Sequence, residues 1–173
     1  IGMWLIAGGL IKKVCIADNL GTHLVDGVFQ QPEVYSSLEA IAAIYAYTVR
    51  IYCDFSGYSD VAIGCALLLG YHLPENFDRP FQSSNLAEFW RRWHKTLSFW
   101  LRDYLYIPLG GNRRGTFRTY VNLFITMVLG GLWHGNTWNF VLWGVLHGAG
   151  LIVVRFVQRN TGKPRDSLLW RAF

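Results

Sequence analysis

Apolar stretches alternate with short polar segments along most of this chain. The longest apolar runs are residues 1–11, 38–53, 61–73, 119–133 and 138–154. Within residues 38–53, Ala, Ile and Tyr recur at helical spacing. We therefore expect an all-α fold, a polytopic bundle of membrane helices with interfacial amphipathic helices and a short intramembrane hairpin.

Turn and charge signals set the expected boundaries in the first third of the chain. Lys12 and Lys13 follow the first apolar run and predict that the first helix leaves the bilayer there. Residues 21–37 are polar, with Gly27, Pro32 and two serines as turn signals, and predict an exposed connection. A second membrane helix is expected over residues 38–53.

Residues 54–60, Asp-Phe-Ser-Gly-Tyr-Ser-Asp, form a polar segment between two apolar runs. Their polar groups need partners within the protein, because lipid supplies none. One interpretation is a turn between two helices, with Asp54 or Ser56 as the N-cap; the other is the polar wall of a substrate cavity. Asp54 and Asp60 would lie about 240° apart on a continuous helix, so shared acid–base work by the two is not expected.

An amphipathic helix is predicted after the proline-containing loop of residues 74–81. Asn85 is a suitable N-cap, and Glu88 follows it at capping-box spacing. Aromatic and leucine residues then recur at near-helical spacing, and basic residues occupy the other faces. This pattern is typical of a helix that lies in the membrane interface. Its apolar positions are Phe89, Trp93, Leu97, Trp100, Leu101 and Tyr104.

The last two apolar runs predict a helical hairpin. The first arm, residues 119–133, would span roughly 22 Å, less than the hydrocarbon thickness of about 30 Å. Basic residues before this arm and again at 155–165 put both open ends on the same, cytoplasmic, side. We expect His134, Gly135, Asn136 and Thr137 at a buried apex inside the bilayer.

Composition and charge agree with a membrane protein. The chain is 52% hydrophobic and 16% aromatic, which is rich for a soluble domain. Its net charge of +5 is concentrated in clusters that flank the apolar runs, and this argues against a nucleic-acid-binding surface. Cys15, Cys53 and Cys65 form no close pair, so neither a disulfide framework nor a zinc site is expected.

Three histidines are candidates for chemistry. His134 is surrounded by small residues and placed between apolar segments, where an ionisable group is costly unless it has a function. His94 lies between basic residues that would lower its pKa by like-charge repulsion and keep it neutral. His147 is interpreted as a core histidine bonded to a neighbouring helix. A metal site would need a third ligand that no spacing supports, and no serine-hydrolase elbow is found.

Five blocks of this sequence resemble the membrane-bound O-acyltransferase family. They are residues 54–60, 76–81, 89–98, 102–113 and 131–135. Within the family, the bacterial branch of alginate O-acetylation and D-alanyl transfer to teichoic acid is the most similar, the alginate type above all. The chain begins at Ile1 and stops at Phe173 after an apolar segment. We therefore expect residues 1–173 to be part of a single domain of this family, truncated at both ends.

The resemblance implies a multi-pass protein of the bacterial inner membrane. It would pass an acyl group, acetyl above all, from a cytoplasmic donor across the membrane to hydroxyls of an exported polysaccharide such as alginate. No tightly bound cofactor or metal is expected, since the donor, acetyl-CoA or an acyl-carrier thioester, is a co-substrate. The implied partners are the lipid bilayer, the donor, the polysaccharide acceptor and periplasmic or extracellular acetylation proteins; nucleic acid is not among them.

The family's two active-site positions correspond to His94 and His134. Neutral His134 would act as general base on the attacking hydroxyl, and His94 would orient a substrate or help bear oxyanion charge; an acyl-histidine intermediate is the alternative. The two imidazoles are predicted to share one site. A proton-relaying transporter and a non-catalytic anchor for periplasmic acetylation proteins remain open. Candidate substrate-binding residues are Asp54, Ser56, Tyr58, Ser59, Trp93 and Asn136.

Overall fold

A computed structural model describes residues 1–161 of the chain. Within that range every regular element is a helix, which confirms the all-α prediction. The chain divides into two compact units, Ile1–Asn76 and a second that begins at Phe77. Lys163 and Arg165 of the expected cytoplasmic cluster lie outside the described residues, and the single-domain organisation stays a prediction.

The first unit is helical almost without interruption up to Gln30. Helix α1 (Gly2–Leu10) continues into the π-helical segments Ile11–Asp18 and Gly21–Val25 and then into α2 (Asp26–Gln30). The helical path therefore continues past Lys12 and Lys13. Residues 21–30 of the predicted connection are helical, although most of residues 21–37 are exposed as predicted. After α2 the chain forms a single 3₁₀ turn, Pro32–Val34, before the next helix.

Both lysines remain inside the helical segment because carboxylates on the next helix bind them. Lys12 Nζ lies 2.6 Å from Asp60 Oδ2, and Lys13 Nζ lies 2.8 Å from Asp54 Oδ1. Both ammonium groups therefore pair with helix α3, and Lys13 Nζ also lies 2.7 Å from Asp18 Oδ1 of its own segment. The exit from the bilayer at these lysines stays a prediction. Asp54 and Asp60 bind different lysines, as their angular separation on a helix suggested.

Helix α3 runs unbroken over Ser37–Leu68. Its N-cap is Ser36, which forms a capping box with Glu39. The prediction of a turn at residues 54–60, with Asp54 or Ser56 as the N-cap, is wrong. These residues stay helical because their carboxylates find partners on the preceding helical segment.

Glycines set the distance between α1 and α3. A Cβ at Gly57 would lie 2.6 Å from the carbonyl oxygen of Gly9, and one at Gly64 would lie 2.6 Å from that of Gly2. Real Cβ atoms do not approach a backbone oxygen so closely, so larger residues would force the helices apart. Gly57 therefore permits close packing of two helices and does not break one.

The second unit begins with two short helices joined at a sharp break. Helix α4 covers Leu86–Arg92 and helix α5 covers Lys95–Leu101, followed by the π-helical segment Arg102–Tyr106. The loop prediction for residues 74–81 is confirmed apart from a 3₁₀ turn over Pro80–Gln82. The single amphipathic helix expected through residue 104 is wrong, because the chain leaves the helix at Trp93 and His94.

The predicted N-cap of α4 is confirmed in its first half. The Oδ1 atom of Asn85 accepts a hydrogen bond from the backbone N–H of Glu88 at 2.9 Å. The Glu88 carboxylate, however, accepts from the backbone N–H of Ser84 at 2.8 Å and from its hydroxyl at 2.6 Å. The reciprocal contact of the expected capping box is thus displaced by one residue.

The helical hairpin is confirmed. Helix α6 (Thr116–His134) and helix α7 (Trp138–Thr161) are packed together and joined by residues 135–137. Helix α6 has 19 residues, four more than the predicted arm, and is roughly 28 Å long at 1.5 Å per residue. Among the described residues, α7 is the one helix both long and apolar enough to cross a membrane. Several membrane spans therefore stay a prediction.

The core of this unit lies where α4 meets the hairpin. Ala87 and Trp90 of α4 pack against Met127 of α6 and Leu151 of α7. Between the arms, a Cβ at Gly144 would lie 2.6 Å from the carbonyl oxygen of Met127. Small residues therefore bring the two backbones together next to the aromatic core.

Candidate functional site

His134 is the last residue of α6, and its ring is held by its own helix. The Nδ1 atom lies 2.6 Å from the carbonyl oxygen of Gly130, one turn earlier. A carbonyl oxygen can only accept, so Nδ1 carries the proton in the neutral imidazole. The lone pair therefore resides on Nε2, and this nitrogen is the one able to accept a proton from a substrate.

Aromatic rings surround His134 on the hairpin side. Its centroid lies 5.0 Å from the ring of Trp143, 5.1 Å from that of Trp133 and 6.3 Å from that of Phe140. These aromatic rings lower the local polarity around the imidazole. Trp143, which sequence reasoning missed, lies nine residues after His134 and contacts it from the opposite arm.

The described residues by themselves do not bury the apex. His134, Asn136 and Thr137 are exposed, and Gly135 is half-buried. The two arms still meet there, because a Cβ at Gly135 would overlap the ring of Phe140. The location of the apex inside the bilayer stays a prediction.

His94 lies at the break between α4 and α5. Its backbone is left-handed, with φ 45° and ψ 54°, a conformation that costs a non-glycine residue of order 1–3 kcal/mol and is often found at functional sites. The half-buried ring lies with Nδ1 3.5 Å from the Thr96 hydroxyl. The break thus gives the His94 ring a direction that it would not have on a continuous helix.

Burial lowers the pKa of His94 to about 4, and the positive charge of His134 lowers it further as a smaller cause. The predicted neutral state is confirmed. Its predicted cause, repulsion from neighbouring basic side chains, is wrong, because desolvation is the main cause.

The two imidazoles interact electrostatically within the second unit, since the charge on His134 contributes to the pKa of His94. His94 is thus a neutral imidazole within range of the charge on His134. The catalytic roles of both residues stay predictions.

His147 is half-buried and bonded to a neighbouring helix, as the sequence suggested. The indole Nε1–H of Trp90 donates to its Nδ1 at 3.2 Å, which joins α7 to α4. The ring of Trp143 lies 4.5 Å from His147 and 5.5 Å from Trp90. Trp143 therefore packs between His134 and His147. The four-residue spacing of Trp143 and His147 was the signal in the sequence that the two share one face of a helix.

The polar residues of α3 do not form one wall. Ser56 and Ser59 are buried, whereas Tyr58 is exposed and Asp54 is half-exposed in its ion pair with Lys13. Side chains at positions 54, 56, 58 and 59 point in directions spread around the helix and cannot all face one cavity. These residues therefore do not form a single polar wall, although Asp54 and Tyr58 line one groove together, and their role in substrate binding stays a prediction.

The remaining candidates have different surroundings. Trp93 is half-buried, stacks on Phe89 at 5.5 Å and meets the edge of Phe77 at 5.1 Å; packing accounts for its position. Asn136 is exposed on the hairpin turn, two residues after His134. Among residues 1–161, no group of three histidine, cysteine or acidic side chains is arranged to hold a metal ion.

Comparison with known proteins agrees with the motifs. The model of the membrane-bound O-acyltransferase family matches residues 1–167. The chain is 52% identical over 95% of its length to the "Probable alginate O-acetylase AlgI" of Pseudomonas putida, covering 34% of that protein. It is 45% identical over 94% of its length to the "Peptidoglycan O-acetyltransferase" of Helicobacter pylori, covering 31% of it. It is 34% identical over 84% of its length to the "Teichoic acid D-alanyltransferase" of Streptococcus thermophilus, covering 37% of it. The chain thus spans about a third of these relatives.

Proposed function

The chain belongs to the membrane-bound O-acyltransferase family, and on that premise we propose that the protein is a membrane O-acetyltransferase. It passes an acetyl group from a cytoplasmic thioester donor, acetyl-CoA or an acyl carrier, towards hydroxyls of an exported polysaccharide such as alginate. The names of its relatives support this proposal, since they concern O-acetylation of alginate and of peptidoglycan.

The observation that carries the proposal is the hydrogen bond between His134 Nδ1 and the carbonyl oxygen of Gly130. It fixes the tautomer in which Nε2 is basic, and it orients the ring from a helix end. A neutral imidazole in this state can remove the proton of an attacking hydroxyl as the hydroxyl oxygen adds to the thioester carbonyl. The thiolate then leaves, and the imidazolium returns its proton to the leaving sulfur.

His94 supports the same step without carrying charge itself. A neutral imidazole donates one hydrogen bond, which it can direct at the carbonyl oxygen as negative charge develops there. Its low pKa keeps it from competing with His134 for the proton. The two histidines therefore have different roles, base and hydrogen-bond donor.

The lipid bilayer, the donor, the polysaccharide and periplasmic or extracellular acetylation proteins are the proposed partners. We place the protein in the bacterial inner membrane with several spans, because the apolar runs outside α7 would then also be embedded. The basic residues at the open end of the hairpin favour a cytoplasmic location for that end.

The test is substitution of His134 by Gln in the full-length protein, with His23 replaced by Gln as the matched control because His23 is exposed in the first unit. We expect polysaccharide O-acetylation to fall by a factor of roughly 10² or more for His134→Gln and to be unchanged for the control. Both proteins should insert equally and copurify equally with their partners.

Other outcomes separate the alternatives. Acetylation that persists in His134→Gln would overturn the enzyme proposal and favour an anchor for periplasmic acetylation proteins. Proton flux into liposomes that depends on His134, without acetyl transfer, would favour a proton-relaying transporter.

A further inference from the structure

A polar pocket lies at the end of the hairpin opposite His134, between the start of α6 and the last turns of α7. Its volume is about 370 Å³, which is within the range of small-ligand sites. None of the described residues that line it is acidic, and each polar side chain among them can donate a hydrogen bond. These side chains are Asn112, Thr116, Thr119, Tyr120, Arg155, Gln158 and Arg159.

Hydroxyl groups lie next to both arginines. Arg159 Nη1 donates to the Thr116 hydroxyl across the hairpin, and Arg155 lies near enough to the hydroxyl of Tyr106, a side chain that is only 2% exposed, to act on its pKa. A hydroxyl does not neutralise a guanidinium. The pocket therefore combines two positive charges with neutral donors, which is the chemistry that recognises a phosphate group.

The position of the pocket along the hairpin indicates where that phosphate comes from. Arg155 lies 17 residues beyond Trp138, the first residue of the apolar helix α7, which is about 26 Å at 1.5 Å per residue. This distance is close to the hydrocarbon thickness of about 30 Å. A helix that crosses the bilayer from Trp138 would therefore place Arg155 and Arg159 at the depth of lipid headgroups.

We propose that this pocket binds the phosphate of an anionic phospholipid headgroup. Bound there, the lipid would bridge α6 and α7 at their open end and hold the hairpin at a fixed depth. The site is separate from the imidazoles, since it lies a full helix length away from His134. It therefore does not depend on the proposed acyl transfer.

The experiment titrates purified full-length protein in a neutral detergent with phosphatidylglycerol, phosphatidylcholine or inorganic phosphate, with occupancy read by native mass spectrometry. We expect phosphatidylglycerol to bind more tightly than phosphatidylcholine, whose choline cancels the phosphate charge. At about fivefold for each arginine lost, Arg155→Gln with Arg159→Gln should weaken phosphatidylglycerol binding roughly 30-fold.

The matched control is Arg113→Gln with Arg114→Gln. It removes the same charge from exposed positions in the preceding turn, neither of which lines the pocket. Because charges outside the pocket are screened at physiological salt, the control should stay within about threefold of the unsubstituted protein. If the double pocket variant does not fold, Arg159→Gln alone should still weaken binding about fivefold, because this exposed arginine contributes one contact.

The remaining outcomes identify the ligand or overturn the proposal. If inorganic phosphate binds with the same dependence on Arg155 and Arg159 while no lipid is preferred, that result would support the phosphate site and assign it to a soluble phosphate compound. Equal weakening by the pocket pair and the control pair would overturn the proposal, as would failure of both phosphatidylglycerol and phosphate to bind.

Discussion

Replacing Gly144 by Ala should separate the two arms of the hairpin. The new Cβ would lie 2.6 Å from the Met127 carbonyl oxygen and 2.9 Å from the Val128 Cα. Both atoms belong to the backbone of α6, so no side chain can rotate away. To reach ordinary contact near 3.4 Å, the helices would have to move apart by roughly 0.5–1 Å, and such overpacking typically costs about 1–3 kcal/mol.

A second term opposes this cost. Alanine is favoured over glycine in a helix interior by roughly 0.5–1 kcal/mol. The net loss expected for Gly144→Ala is therefore about 0–2.5 kcal/mol in the free energy of unfolding, with a central value of roughly 1 kcal/mol. The shift should also move Trp143, the neighbouring residue, away from the ring of His134.

The assay is unfolding in mixed micelles with increasing dodecyl sulfate, followed by circular dichroism. Gly150→Ala, on the same helix, is the matched control, because its Cβ would meet one atom only, the Cδ2 end of the flexible Leu86 side chain. We expect the control to be neutral or slightly stabilising. Equal stability of the two variants would refute the argument that backbone contact at Gly144 sets the spacing of the arms.

Three further predictions concern the break at His94, the N-cap of α4 and the contact between α4 and α7. The pKa of His94 is about 4 in the folded state and about 6.5 in the unfolded state, so the unfolded state binds more protons between these two pH values. The stability of the protein should therefore fall as the pH drops from about 6.5 to about 4. The thermal unfolding of His94→Gln should lose this pH dependence. Asn85→Ala removes the N-cap of α4 and should cost about 1 kcal/mol, measured by the same micelle titration. Trp90→Phe removes the hydrogen-bond donor to His147 and should cost of order 1–2 kcal/mol in the free energy of unfolding. His147→Phe removes the acceptor of the same bond. The double variant should therefore lose less stability than the sum of the two single losses.

Local signals placed several elements correctly. Asn85 marks the start of α4 because a cap acts within its own first turn. The uncharged runs on either side of His134 predicted the hairpin, since two long apolar segments joined by a few residues can bury their faces only against each other or in lipid. The same runs carry the family motifs, so the histidine at the hairpin turn could be identified from sequence.

The structural roles of glycines and charged residues depend on neighbours that are distant in sequence, and sequence patterns alone do not reveal them. Gly57 can break a helix or allow another to approach, and only the presence of Gly9 opposite it decided for the second. Lys12 and Lys13 can face water or a carboxylate, and the tertiary structure brings one carboxylate of helix α3 to each of them. No proline or glycine marks the break at His94 in the sequence. Its left-handed backbone instead accompanies the tertiary packing of Trp93 against Phe89 and Phe77.

The sequence by itself determined that the chain is helical, where the hairpin turns, and that His94 and His134 are the residues to consider for chemistry. These follow from periodicity, capping and motif order, all of which act over a few residues. Tertiary structure alone decided that α3 is continuous, that His94 leaves the helix, and that Trp143 packs between two histidines. Such features depend on which groups from distant parts of the chain meet. The free energy of such a contact depends on both partners, so neither local sequence predicts it alone.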